Sequence, residues 1–154
     1  MAHPSQYGPG FGPALARTDG VLTRRFPAYM VDLVVIFGLS LLFGLLIGVA
    51  GILTLGAAWM LYAILVPATA ILYSAVTVGG RAQATVGMRM FGLAGVDAST
   101  GGPIGPLLAG LHAGLFYVGV STLLLLVLDL AIGIARSDRR LGHDLLVGLM
   151  LVRR

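Results

Sequence analysis

Apolar positions gather into three long stretches, with polar positions confined to their ends and to glycine- and arginine-rich connections. Residues 27–50, 53–78 and 107–135 each meet the roughly 20-residue length needed to cross a bilayer as a helix. They predict an all-α membrane protein with about three transmembrane helices. Residues 1–23 show no sustained period of 3.6 or 2 and are rich in proline and glycine, which reads as a disordered tail. Residues 24–154 then form the transmembrane domain. Pro27 fits the first turn of a helix starting at Arg25 or Phe26. Only "GILTLG" remains as a turn between the first two spans, so these should be antiparallel neighbours. Pro67, in mid-span, predicts a kink.

Residues 79–106 are too broken to span. "MRMFGLAGV" reads as a short strand or an interfacial segment, and "DASTGG" as a turn. Beyond residue 135, "RSDRRLGHDLLVGLMLVRR" has only about ten apolar residues and should lie at the membrane surface, where it could pair as a strand. Small residues recur at Ser40, Gly44 and Gly48 and at Gly105, Ala109 and Ala113. That spacing suits close helix packing within the chain, with homodimerisation as the alternative.

Three spans divide the arginines evenly, with Arg17, Arg24, Arg25, Arg81 and Arg89 on one face and Arg136, Arg139, Arg140, Arg153 and Arg154 on the other. The positive-inside rule then selects neither orientation. A tight hairpin over 107–135 would place every arginine cluster on one face, but its 29 residues are short for two crossings at roughly 20 each.

Composition sharpens the class. The chain of 154 residues is 58% hydrophobic and 10% charged, with a mean hydropathy of +0.98. All ten basic residues are arginine and all six acidic ones aspartate, and cysteine is absent. Disulfides, thiolate chemistry, the zinc-protease helix motif and the phosphate-loop lysine are therefore excluded. "TVGMR", residues 85–89, lacks the glycine spacing of a phosphate loop as well. The net charge of +4 lies next to apolar segments, which favours anionic lipid headgroups over nucleic acid as partner. No cofactor motif is present.

An ionisable side chain at bilayer depth costs a few kcal/mol and normally faces the protein interior with a partner. Arg25, Ala28 and Asp32 stand at i, i+3 and i+7 on one helix face, with Arg25 about 10 Å from Asp32 along the axis. Each should find its partner elsewhere. Asp32 reads either as a lock between helices or as a proton or ion site. Tyr62, Thr69, Tyr73 and Thr77 offer hydroxyls along one side of the second helix. The third stretch carries His112 near its start and Asp129, with Thr122 one heptad earlier, near its end. In "DRRLGHD", Asp138, Arg139, Arg140, His143 and Asp144 read as an interfacial salt-bridged segment. As a metal site it is poor, because His143 and Asp144 are adjacent and cannot share a helix face, and no second histidine is expected nearby.

The arginine, alanine and aspartate of the first helix, the "TVGMR" loop with its following "GL" and "VD", and the C-terminal "LGHDLLVG" together resemble the RDD family of small bacterial membrane proteins, over roughly residues 22–153. By that resemblance the motif residues are Arg25, Asp32 and Asp144. Met88 stands where the family's loop motif has its basic residue, with Arg89 one position late. Leu149 replaces a common threonine, and His112 stands where many members bring an arginine into the third helix. The resemblance implies a multi-pass protein of the bacterial inner membrane, and because no nucleophile, metal set or acid/base pair is recognisable among the residues, no enzymatic activity is expected. It would be linked to transport of ions or small ligands, as a homo-oligomer or in a larger membrane complex, since three helices are too few to enclose a pathway. The alternative is a non-transporting accessory or assembly subunit of such a complex.

Overall fold

Burial of the chain's first described residues sets where its longest helix begins. The computed structural model describes residues 18–153, so the expected tail lies outside the described residues as far as position 17. Positions 18–23 do not belong to a tail, since Thr18 and Val21 are buried. Helix α1 spans Val21–Leu53, entered from Gly20 at φ 69, a left-handed conformation that glycine adopts without a Cβ penalty. Val21 packs with Leu93 and Leu149, which draws the helix start more than a turn ahead of Pro27. The proline therefore stands inside the helix, not at its first turn.

At 1.5 Å per residue α1 is about 50 Å long, against a hydrocarbon core of about 30 Å. Roughly its last 20 residues suffice to cross, and its first turns are left to support other elements. The chain reverses over Thr54–Gly56, with Leu55 and Gly56 at positive φ. It returns as a 3-10 helix, Ala57–Ile64, that passes into α2, Leu65–Val78. The kink expected at Pro67 takes the form of this change in helix type. Pro67 sits in the first turn of α2, where its missing amide leaves no bond unmade. The small residues of α1 receive aromatic groups from the returning segment. Tyr62 Oη donates to the Gly44 carbonyl at 2.7 Å, and a Cβ on Gly51 would lie 1.8 Å from Trp59 Nε1.

Segments α1 and Ala57–Val78 are both long and apolar enough to cross a membrane. The third stretch is not. It forms α4, Pro106–Ser121, and α5, Leu123–Ala135, separated by an extended Thr122 at φ −128, ψ 111. In one continuous helix His112 and Asp129 would lie about 25 Å apart; instead both reach side chains on one short helix, as described below. The single helix expected over 107–135 is thus a hairpin. Hydroxyls at its tip compete for the backbone, Ser121 Oγ donating to Val118 O at 2.7 Å. Helix α4 runs antiparallel to α2, with Gly79 beside Pro106, Gly110 beside Ala75 and Gly114 beside Ile71.

The remaining segments form a polar-edged layer at the start of α1. It comprises α3 (Val86–Met90), β1 (Leu93–Asp97), α6 (Gly142–Leu146) and β2 (Leu149–Arg153). The expected strand pair is present: β1 and β2 are antiparallel, in register from Leu93 opposite Arg153 to Asp97 opposite Leu149. In the turn read from "DASTGG", Asp97 Oδ1 accepts from the amides of Ser99 and Thr100.

Arg24 at the start of α1 donates to Phe91 O, and Arg140 donates to Leu149 O and Asp144 O. Arginines from both halves of the sequence therefore share one layer, whereas three full spans would have separated them. Because the native chain has no cysteine, single substitutions report sidedness directly. The expected outcome is that exposed Ser99→Cys and Ser137→Cys are labelled by an impermeant maleimide from the same side, and Thr54→Cys from the other. Labelling of Ser99→Cys and Ser137→Cys from opposite sides would restore three spans.

A buried carboxylate cluster as the candidate functional site

Two of the buried carboxylates belong to the motif that the sequence singles out, and each is compensated in its own way. Asp32 is held entirely by donors from other segments. Its Oδ1 accepts from Tyr73 Oη at 2.7 Å and from the Gly87 amide at 2.8 Å, and its Oδ2 accepts from Thr85 Oγ1 at 2.6 Å. Tyr73 Oη accepts from the Val86 amide and Thr85 Oγ1 from the Met88 amide. Asp32 therefore fastens the start of α3 to α1 and α2. Ala28, on the same face, supplies room: a Cβ on Gly87 would stand 2.0 Å from the Ala28 carbonyl oxygen.

Of the hydroxyls along the second helix, Tyr73 is the one that reaches Asp32. Thr69 and Thr77 donate to carbonyls of their own helix instead. Thr85 and Gly87 escape a reading of the sequence as partners of Asp32. Their signal is a threonine one position before a short helical turn, where its oxygen caps the amide three residues on.

Asp144 lies in a second cluster and has no exposed surface. Arg25 Nη2 donates to its Oδ2 at 2.5 Å, His112 Nε2 lies 2.7 Å from its Oδ1, and the Leu141 amide also donates to Oδ2. His143 Nε2 stands 3.5 Å from Oδ1. The far side of His143 is fixed by Asp129, which accepts from His143 N at 2.9 Å and pairs with Nδ1 at 2.8 Å. The imidazoles of His112 and His143 lie 4.7 Å apart, and the Phe116 ring packs against His143.

Four elements converge on this cluster. Helix α1 brings Arg25, α4 brings His112, α5 brings Asp129, and α6 brings His143 and Asp144. As expected, Arg25 and Asp32 find separate partners. The structure corrects one premise, since a second histidine does approach "GHD": it is His112, delivered by the hairpin. The other candidates lie apart. Asp138 is buried in a two-pronged pair with Arg136, Arg139 donates to Ile134 O, and Arg89 is exposed on α3. Met88, in the place of the family's basic residue, is buried in the core beneath the sheet.

Burial pushes the Asp144 carboxyl up, but Arg25, His112 and His143 together outweigh it and hold the group well below the usual carboxylate range. Burial pushes the His143 imidazole down, against the pull of Asp144 and Asp129. Both folded values lie below the unfolded ones, so both groups stabilise the fold at higher pH and lose that contribution as pH falls. For His143 the loss begins below its ordinary value of 6.5, and for Asp144 below 3.8. The unfolding temperature of the protein in detergent should fall from pH 7 to pH 5 and again below pH 4. Asp144→Asn should already cost about 2 kcal/mol at pH 7 by removing the charge that pairs with the partly buried Arg25, and should remove the lower limb. A flat profile from pH 7 to pH 4 would contradict this assignment.

Among comparisons with known proteins, no curated protein and no solved structure matches the chain. A family model does: the RDD family, over residues 20–148. That match includes Arg25, Asp32 and Asp144, and it takes in both buried clusters, the two long apolar helices and the hairpin. With most of its length matched, and with two helices suited to crossing a bilayer, the chain is a membrane protein that belongs to the RDD family.

Proposed function

We propose that this protein works in the transport of ions or small ligands across the bacterial inner membrane, as a homo-oligomer or with partner subunits. The observation that carries the reading is the series Asp129, His143, Asp144 and His112, its middle two members buried and its outer two partly exposed, with adjacent members 2.7 to 3.5 Å apart at the mouth of a helical hairpin. Coupled titratable groups buried together at the edge of a membrane domain can hold and pass charge. Asp32, by contrast, has both oxygens committed to fastening a loop. In this reading α1 and Ala57–Val78 cross the bilayer. The hairpin, with helices of about 24 and 20 Å, enters and returns on the cytoplasmic side, where all the arginine clusters then lie. Two spans and a hairpin enclose no pathway alone, which is why the reading needs further copies or a partner. No enzymatic activity is proposed.

A second reading, a non-transporting accessory subunit, is favoured by one observation: the motif residue Asp32 is engaged wholly in holding the fold together. Reconstitution separates the two. Purified protein in vesicles carrying a pH gradient, assayed with sodium and with potassium, should dissipate the gradient. His112→Gln, which keeps a donor toward Asp144, should reduce the rate at least about tenfold at an unchanged unfolding temperature. Wild-type vesicles no leakier than empty ones, together with stoichiometric co-purification with another membrane complex, would establish the accessory role instead.

A further inference from the structure

His143 is oriented by two bonds to one carboxylate, and that orientation fixes what its other nitrogen can do. An ionised Asp129 only accepts, so the 2.8 Å contact puts the proton of His143 on Nδ1. Its Nε2 then faces Asp144 Oδ1 at 3.5 Å, a separation at which no hydrogen bond is made. A nitrogen lone pair and a carboxylate oxygen thus look at each other across a gap. His112 Nε2 closes on the same oxygen from α4. The three donor atoms lie within 4.8 Å of one another.

Metal–nitrogen and metal–oxygen bonds of about 2.0–2.2 Å at tetrahedral angles put donors about 3.4 Å apart. The His143–Asp144 spacing of 3.5 Å already meets this. The His112–Asp144 contact of 2.7 Å would have to open by about 0.7 Å. His112, with a fifth of its side chain exposed against none for Asp144, has the freedom to move. Its proton would pass from Nε2 to Nδ1. A carboxylate behind a ligating histidine is the usual outer support of such sites, and Asp129 is in that position.

We infer that His112 Nε2, His143 Nε2 and Asp144 Oδ1 form a binding site for a divalent transition-metal ion, with Asp129 as its positioning residue and the fourth ligand entering from the exposed side of His112. Two imidazoles and one carboxylate, without a thiolate, favour zinc, cobalt, nickel, manganese or ferrous iron over calcium or cuprous copper. The inference rests on the same cluster as the transport reading, but it is tested by binding alone.

Untagged full-length protein in detergent, stripped of metal with a chelator, is titrated with zinc by calorimetry and with cobalt by visible absorbance. One saturable site per chain is expected. His3→Ala, in the N-terminal segment, should leave it intact. His112→Gln should abolish it at an unchanged unfolding temperature, and Asp129→Asn should weaken it about 10- to 100-fold. Absence of saturable binding by the wild type, or binding that survives His112→Gln, would overturn the site even if the vesicles transport ions. Binding without flux would overturn the transport reading and leave the metal site standing.

Discussion

A carboxylate with no exposed surface needs its lost hydration replaced in full, and around Asp144 that requirement organises the molecule. The idealised cost of desolvating such an ion is many kcal/mol, offset only by charges and donors at hydrogen-bonding distance. Asp144 draws these from three directions: Arg25 from 119 residues earlier, His112 from the hairpin, and the Leu141 amide at the start of its own helix. Satisfying one side chain therefore ties the beginning of the first helix to the C-terminal segment and fixes where the hairpin returns. Once those are joined, β2 lies beside β1, and the arginines of both halves share one layer.

Asp32 obeys the same rule with neutral donors. Two hydroxyls and one amide satisfy it, so it closes a loop onto two helices with no cation among these partners. Its surroundings leave no slack, because the Gly87 backbone lies against the Ala28 carbonyl where no side chain fits. The length of α1 eases the burden on both carboxylates. With about 50 Å of helix against about 30 Å of hydrocarbon, α1 is long enough to leave Arg25 and Asp32 ahead of the roughly 20 residues that a crossing needs. The two motif aspartates thus divide the work, one holding the fold and the other gathering titratable groups.

Much of this was legible in the residues themselves. Hydropathy located the apolar stretches, glycine and proline marked the turns, and the i, i+3, i+7 face of the first helix carried the family motif. The separation of Arg25 from Asp32 correctly implied different partners. Hydropathy could not reveal the break at Thr122, because valines precede it and four leucines follow it, and one extended residue barely changes a window average. It also could not reveal which groups meet across long separations. The poor prospects of "DRRLGHD" as a metal site rested on adjacency of His143 and Asp144 along the chain. The missing histidine arrives through a fold-back that local sequence does not encode. Thr85 and Gly87 illustrate the same limit, since their roles exist only once Asp32 is set against them.

The Arg25–Asp144 pair couples the two ends of the fold. Its most direct measurement is a double-mutant cycle, with unfolding free energies in bicelles for the wild type, Arg25→Met, Asp144→Leu and the double variant. A coupling energy of about 2 kcal/mol or more is expected, in the range found for close charge pairs elsewhere. Each single substitution should then cost far more than its share of the double. Single effects that add within about 0.5 kcal/mol, as for independent sites, would contradict it.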